Sequence, residues 1–341
     1  MRYRTKLVSL AAAFFLILLP ATSIINARIQ QPTDASEDRL RGIQLYKKGD
    51  SKAAIVQLRV SLQKNKKDSE LWYYLGLALT REGQYKEAGK AYETAVKLQA
   101  NFAHAYAGLA FTLLLRNKLK EAESSGLRAL ELDSSFADAH YIVGVVRLRS
   151  GDASHALDHA QAAIRLNPNY ARGYLLESQA LVALSGGAEV YSQDFSEKQL
   201  ANYKDAARSL EKYLNLNNDK ANDSSWREQL EALNSYIELI EKHGKTVFTS
   251  KEISEMARVV SKPEPSYTEE ARRNQVNGTV VLRAVFAADS QVKNIMVIKG
   301  LPDGLTERAI AAARRIKFIP AMKDGKPVSM WMQLEYNFNL Y

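Results

Sequence analysis

Cysteine is absent from the 341 residues. That excludes disulfide frameworks, thiolate metal sites, a cysteine nucleophile and the lipidated cysteine of a bacterial lipoprotein. Proline is scarce, with 8 residues, so no long extended proline-rich segment is available as a spacer. No phosphate-cradling glycine loop, nucleophile elbow or HExxH pattern occurs, and Gly300–Gly304 lacks the Lys-Ser/Thr that would make it one. Histidine is also sparse, with 5 residues: His104, His140 and His243 stand alone. His155 and His159 lie four apart with Asp152 and Asp158 nearby, a spacing able to grip zinc. With no third ligand in view they read as solvated helix surface. The expectation is a chain that is not an enzyme and holds no cofactor or metal.

The net charge of +9 forms no long basic face. Residues 1–27 carry three cations and no acid, residues 258–341 carry 13 cations and 8 acids, and the stretch between is nearly balanced. Nucleic acid is therefore not an expected partner. Arg2, Arg4 and Lys6 precede the apolar run Leu7–Leu19, followed by Pro20 and the small residues Ala21-Thr22-Ser23. A basic start, a short apolar core and a small-x-small site describe a secretory signal peptide over residues 1–27. The alternative is a membrane anchor using the uncharged stretch 7–27. Either reading places the remainder in the periplasm, with an inner-membrane tether in the second case.

A period of 34 organises the middle. Trp72, Tyr106, His140 and Tyr174 recur at that spacing, as do Gly76, Ala110, Gly144 and Ser178. Ala88, Ala122 and Ala156, then Ala95, Ala129 and Ala163, then Leu98, Leu132 and Leu166 repeat later in each unit, and Asp38, Gly42, Gly49 and Ala54 fit one period earlier. Small residues let paired helices approach, and large ones fill the groove between them; one unit cannot bury its own apolar face, so units must stack. The pattern resembles the tetratricopeptide repeat, with 69–102 the closest unit. Repeats are expected over 35–243, with an insertion at about 185–202 around Gly186-Gly187 and a closing helix from Trp226 to about His243, capped by Ser225 and stopped by Gly244. The resemblance implies a concave groove lined by Tyr46, Tyr73, Leu77, Phe111, Leu114, Tyr141, Val145 and Leu148, suited to an extended peptide or a helix. Packing of that surface on the neighbouring domain is the competing expectation.

After Gly244 the period changes to two. Val280, Leu282, Ala284 and Phe286 alternate with Val281, Arg283 and Val285, a second strand follows at about Val292 to Ile298, and a helix is expected around Leu305–Ile316. The last strand alternates from Val328 to Leu340, which argues for one sheet face packed against a helix. Ser266 and Glu269 have capping-box spacing. The motifs Pro265-x-Tyr267, Ala271-Arg272, Gly278-x-Val280, Ala309…Ala313, Lys317-Phe318-x-Pro320-Ala321 and Asp324-Gly325-Lys326-Pro327-Val328 resemble the TonB C-terminal domain, over 247–341. Thr268 stands where that family usually has proline.

The fold class expected is thus an α solenoid followed by a small α+β domain with an antiparallel sheet on a helix. The TonB resemblance implies a non-catalytic, protein-binding role. A short extended segment of an envelope partner, such as a TonB-dependent outer-membrane receptor, would add as a strand along Met330, Trp331, Met332, Gln333, Leu334, Glu335 and Tyr336, flanked by Pro263, Pro265 and Tyr267. Of those side chains only Trp331, Gln333 and Glu335 are expected to be open to contact. Transducers of that family carry a histidine in their membrane helix, and no histidine or acid lies in residues 1–30. The rival expectation is a periplasmic scaffold or assembly factor without energy transduction, in which the solenoid groove is the working surface.

Overall fold

The computed structural model describes residues 35–186, 197–217, 223–241, 247–248 and 253–340. The leader, residues 187–196 of the insertion and the expected stop at Gly244 lie outside the described residues. Eleven described helices form the first part: α1 (Ala35–Lys47), α2 (Ser51–Lys64), α3 (Ser69–Arg81), α4 (Tyr85–Leu98), α5 (Ala103–Leu115), α6 (Leu119–Leu132), α7 (Ala137–Arg149), α8 (Ala153–Leu166), α9 (Ala171–Gly186), α10 (Glu197–Leu216) and α11 (Asp223–Glu241). Each odd-numbered helix up to α9 packs antiparallel on the next, and successive pairs stack into a solenoid. The turn inside each pair needs a left-handed residue, supplied by Gly49, Gly83, Asn117 and Gly151, which are 34 apart with φ of 93°, 72°, 57° and 89°. Among the described helices, none is long and apolar enough to cross a membrane.

The interior follows the small/large exchange. Ala54, Ala88, Ala122 and Ala156 are fully buried. Tyr92 is the largest guest: its ring lies between Gly76 and Gly108, where an added Cβ would sit 2.6 and 2.5 Å from the ring. The repeat places a large residue on one helix only where its neighbours are stripped to glycine.

The second part contains β1 (Val247–Phe248), β2 (Arg258–Ser261), α12 (Glu269–Arg273), β3 (Gly278–Phe286), β4 (Val292–Lys299), α13 (Leu305–Ala313), β5 (Lys317–Ile319), β6 (Ala321–Lys323) and β7 (Lys326–Phe338). The main sheet has the order β1-β7-β3-β4, with β6 joined to the start of β7 and a separate β2–β5 ribbon. β7 and β3 pair antiparallel from Gly278 opposite Phe338 to Phe286 opposite Met330. Asp324 and Gly325, both at positive φ, make the tight β6–β7 turn. One face of the sheet buries Val280, Leu282, Ala284, Phe286, Met330, Leu334, Tyr336 and Phe338 with Leu305, Ala309, Ala312 and Ala313 of α13. Met296, Ile298 and Trp331 instead join Leu181, Val182, Tyr203, Leu233 and Tyr236 of the solenoid.

Four local expectations are corrected. Helix α9 runs to Gly186, into the insertion expected from about 185, because Ser185 and Gly186 are buried where β4 comes against the helix end. Helix α10 starts at Glu197, so residues 197–202 are helical and not part of a loop. Helix α11 starts at Asp223, which puts Ser225 inside it. Thr268, not Ser266, caps α12: its Oγ1 accepts from the Ala271 N–H at 3.1 Å and donates to the Asp303 carbonyl, so a threonine performs at the helix start what a proline would have preset.

Candidate functional site: the margin of the terminal sheet

A sheet margin is a row of unmade backbone bonds, so the first question is which margins the fold closes. The β4 margin is met at its middle by the solenoid. Gln229 of α11 donates through Nε2 to the Ile295 carbonyl at 3.2 Å and accepts from the Val297 N–H at 2.9 Å, standing in for a strand. Arg314 pairs with Glu228 one residue away in the chain, at 2.7 Å. Beneath lies Arg283, a buried cation on the solenoid side of β3. Its Nη1 donates to the hydroxyls of Tyr203 at 3.1 Å and Tyr236 at 2.9 Å, its Nη2 to the Gly186 carbonyl at 3.3 Å, and its Nε has no partner among the described residues. Burial raises the pKa of both phenols, so they meet the guanidinium as neutral acceptors.

The opposite margin, along β7, is different. β1 lies parallel beside it at Ser329 and Met330. From Trp331 to Phe338 no strand among the described residues pairs with it on that side. What reaches it is a side chain: Lys262 donates from Nζ to the Glu335 carbonyl at 2.6 Å, with its ammonium 4.5 Å from the centre of the Tyr336 ring. Since the Glu335 carbonyl points away from β3, strand alternation turns the backbone groups of Trp331, Gln333 and Asn337 the same way. The segment expected to flank the margin does so at its far end, where Tyr267 packs edge-on against Phe338 at 5.4 Å and donates to the Val276 carbonyl. Pro263 and Pro265 are half-buried.

The seven strand residues separate by parity. Met330, Leu334 and Tyr336 are buried towards α13, with Met332 half-buried there. Burial lifts the Tyr336 phenol to about 12, and its hydroxyl has no hydrogen-bond partner among the described residues. Gln333 and Glu335 are exposed and bonded to each other at 3.0 Å. Trp331 departs from expectation. Its ring meets Tyr236 at 4.8 Å and a right angle, so the solenoid holds the side chain, and only its backbone belongs to the open margin.

The profile described as Gram-negative bacterial TonB protein C-terminal matches residues 263–340, which contain this margin, and tetratricopeptide repeat profiles match 69–102 and 112–171. The chain carries tetratricopeptide repeats and a TonB-type C-terminal domain. A comparison with curated proteins gives no match. Similar solved structures include the MamA protein, at 21% identity over 55% of this chain and 93% of that one with a TM-score of 0.43. MamA from Desulfovibrio magneticus RS-1 gives 20%, 53%, 94% and 0.44, and PilF of Pseudomonas aeruginosa 18%, 61%, 92% and 0.47.

In the tetratricopeptide solenoid, seven of the eight expected groove residues are half-buried and Leu114 is buried. Tyr73 is packed among Tyr74, Tyr92, Phe102 and His104, with ring centres 5.0 to 6.4 Å away. Tyr46 carries the Arg81 guanidinium over its ring at 4.3 Å, and Tyr141 meets Tyr170 at 6.0 Å. None of the eight belongs to the cluster in which the TonB-type domain meets the solenoid.

The histidines do not gather as a zinc pair. His155 turns Nδ1 to Asp152 at 2.8 Å, and His159 turns Nδ1 to His140 Nδ1 at 3.0 Å, across α7 and α8. His140 Nε2 donates to the Ser134 carbonyl at 3.2 Å, so in the neutral pair its Nδ1 accepts from His159 Nδ1–H, and a proton gained at His140 Nδ1 would set two donors face to face. Burial lowers both pKa values, that of His159 to about 4, with His140, Arg147 and His155 adding to the effect and Asp158 opposing it; Arg165 also lowers His140. Both folded values lie below the unfolded value of about 6.5, so this contribution is complete above that pH and lost as pH falls towards 4. The melting temperature is therefore expected to hold from pH 8 to 7 and to fall between about 6.5 and 5, above the carboxylate range. Circular dichroism melts of the full chain check this; an equal slope in His140→Asn/His159→Leu would remove the pair as its cause.

Residue-type reasoning missed three participants: Gln229, Lys262 and Arg283. Only Arg283 left a signal, as the one charge inside the run Val280–Ala287.

Proposed function

We propose that the TonB-type domain takes up an extended segment of an envelope protein as an added strand along the Trp331–Asn337 margin of β7, while the tetratricopeptide groove engages a second protein. The tetratricopeptide and TonB-type domains make protein partners the general expectation. The finer reading rests on one observation: the solenoid occupies the middle of the β4 margin through Gln229, whereas among the described residues the β7 margin is met by β1 at its start and by the Lys262 side chain. Backbone groups would supply the bonds and side-chain pockets the preference. In this reading the protein is exported and acts in the periplasm, in TonB-dependent outer-membrane transport. Scaffolding without energy transduction is the second reading, favoured by the direct docking of the TonB-type domain on the solenoid through Arg283 and Trp331.

Synthetic extended peptides from the periplasm-facing ends of outer-membrane receptors provide the test, with binding to the full chain followed by fluorescence anisotropy. Gln333→Pro removes an outward N–H and spares the β3 ladder, so folding should survive. Binding is expected to weaken roughly ten-fold or more in that variant, and to strengthen roughly three- to ten-fold in Lys262→Ala, where the Glu335 carbonyl is released. Unchanged binding in Gln333→Pro would rule out strand addition at this margin.

A further inference from the structure

The β2–β5 ribbon lies outside the main sheet. Large apolar side chains are exposed along it and just before it: Val260 at 62%, Ile319 at 45%, Val259 at 37% and Met256 at 45%. The register explains their arrangement. Val259 lies opposite Phe318, which is buried, so that pair marks the inner face. Arg258 lies opposite Ile319 on the other face, alternation along β5 adds Lys317, which lies opposite Ser261, and a bulge between Val259 and Ser261 leaves Val260 exposed beside them. Two β-branched side chains thus stand between two cations, all four exposed. Among the described residues neither Arg258 nor Lys317 has an acidic partner within ion-pair distance.

A lone exposed valine is unremarkable, but an edge ribbon with its apolar side chains outward is one that proteins normally blunt or cover. A second copy of this chain is a poor cover. Antiparallel pairing of two β2 strands about Val260 would set Arg258 against Lys262 of the other copy, like charge facing like charge. The complement of this face is an anionic surface that also accepts aliphatic side chains. At a bilayer interface valine and isoleucine enter the acyl boundary while arginine and lysine reach back to phosphates. The excess of 13 cations over 8 acids in residues 258–341 has the same sign.

We propose that the β2–β5 ribbon is a contact site for an anionic lipid surface, Val260 and Ile319 entering the interface and Arg258 and Lys317 pairing with phosphate head groups. Such a contact is weak alone and gains from a second membrane signal, which the apolar run Leu7–Leu19 supplies in the anchor reading.

The lack of native cysteine makes the test direct. The full chain with Val260→Cys carries an environment-sensitive dye, and Val56→Cys, 65% exposed on α2, serves as reference. Vesicles of phosphatidylethanolamine with phosphatidylglycerol should shift the emission at position 260 to the blue, and leave position 56 unchanged. Pure phosphatidylcholine vesicles should give no such shift, whatever the leader does. Arg258→Glu and Lys317→Glu should each weaken the response, by roughly five-fold or more for each lost cation. No shift at 260 with anionic vesicles, an equal shift at 56, or an equal shift with phosphatidylcholine overturns the proposal. A shift with soluble polyglutamate and none with vesicles also overturns it, and assigns the ribbon to an acidic polypeptide instead.

Discussion

Replacing Arg283 by alanine is expected to lower stability by about 3 kcal/mol, through a cavity at the junction and the loss of charge-assisted bonds to Tyr203 and Tyr236. The loss is moderated because the guanidinium is itself buried without an anion and with Nε unsatisfied. Arg283→Met keeps much of the volume without the charge and is expected to stay within about 1.5 kcal/mol of the natural chain. Urea unfolding followed by circular dichroism measures both. The emission of Trp331, isolated by comparison with Trp331→Phe, reports on the junction itself: it should move to the red in the alanine variant as the ring leaves Tyr236. If methionine proves as damaging as alanine, the polar bonds rather than the volume hold the two parts together.

Tyr92→Ala should cost about 3–5 kcal/mol, the largest loss expected in the solenoid. The ring is buried and wedged between Gly76 and Gly108, and neither glycine has a side chain with which to fill the space it leaves. Tyr92→Phe keeps the wedge and gives up only the 3.4 Å contact with Thr80, so about 1 kcal/mol or less is expected. In a stacked array each unit leans on its neighbours, so the alanine variant should lower the urea midpoint of the helical signal well before the sheet domain responds. Similar midpoints for both variants would mean that the Gly76–Tyr92–Gly108 sandwich is not a principal support.

Sequence patterns carried the architecture because they record packing that repeats. The 34-residue spacing of Ala88, Ala122 and Ala156 reflects the same helix approach made several times, and the alternation from Val328 to Phe338 reflects one face on α13. The contacts made once were harder to see. Gly186-Gly187 looks like a loop in isolation, yet Gly186 closes α9 because an added Cβ there would stand 2.3 Å from Ile298. Trp331 sits on the polar parity of its strand and looks free until Tyr236 is placed beside it. Lys262 precedes a proline-rich step and gives no hint of the carbonyl it reaches, 73 residues away. Strand position could be read locally; occupancy of a strand's neighbourhood depends on how the two parts meet.

The Gln229 clasp has a bearing on stoichiometry. A sheet open on both flanks can recruit chain after chain and grow without limit, whereas one flank of this sheet is permanently terminated by its own polypeptide. Under the proposed strand addition a guest therefore enters on the β7 side alone, so each molecule offers one docking flank rather than two.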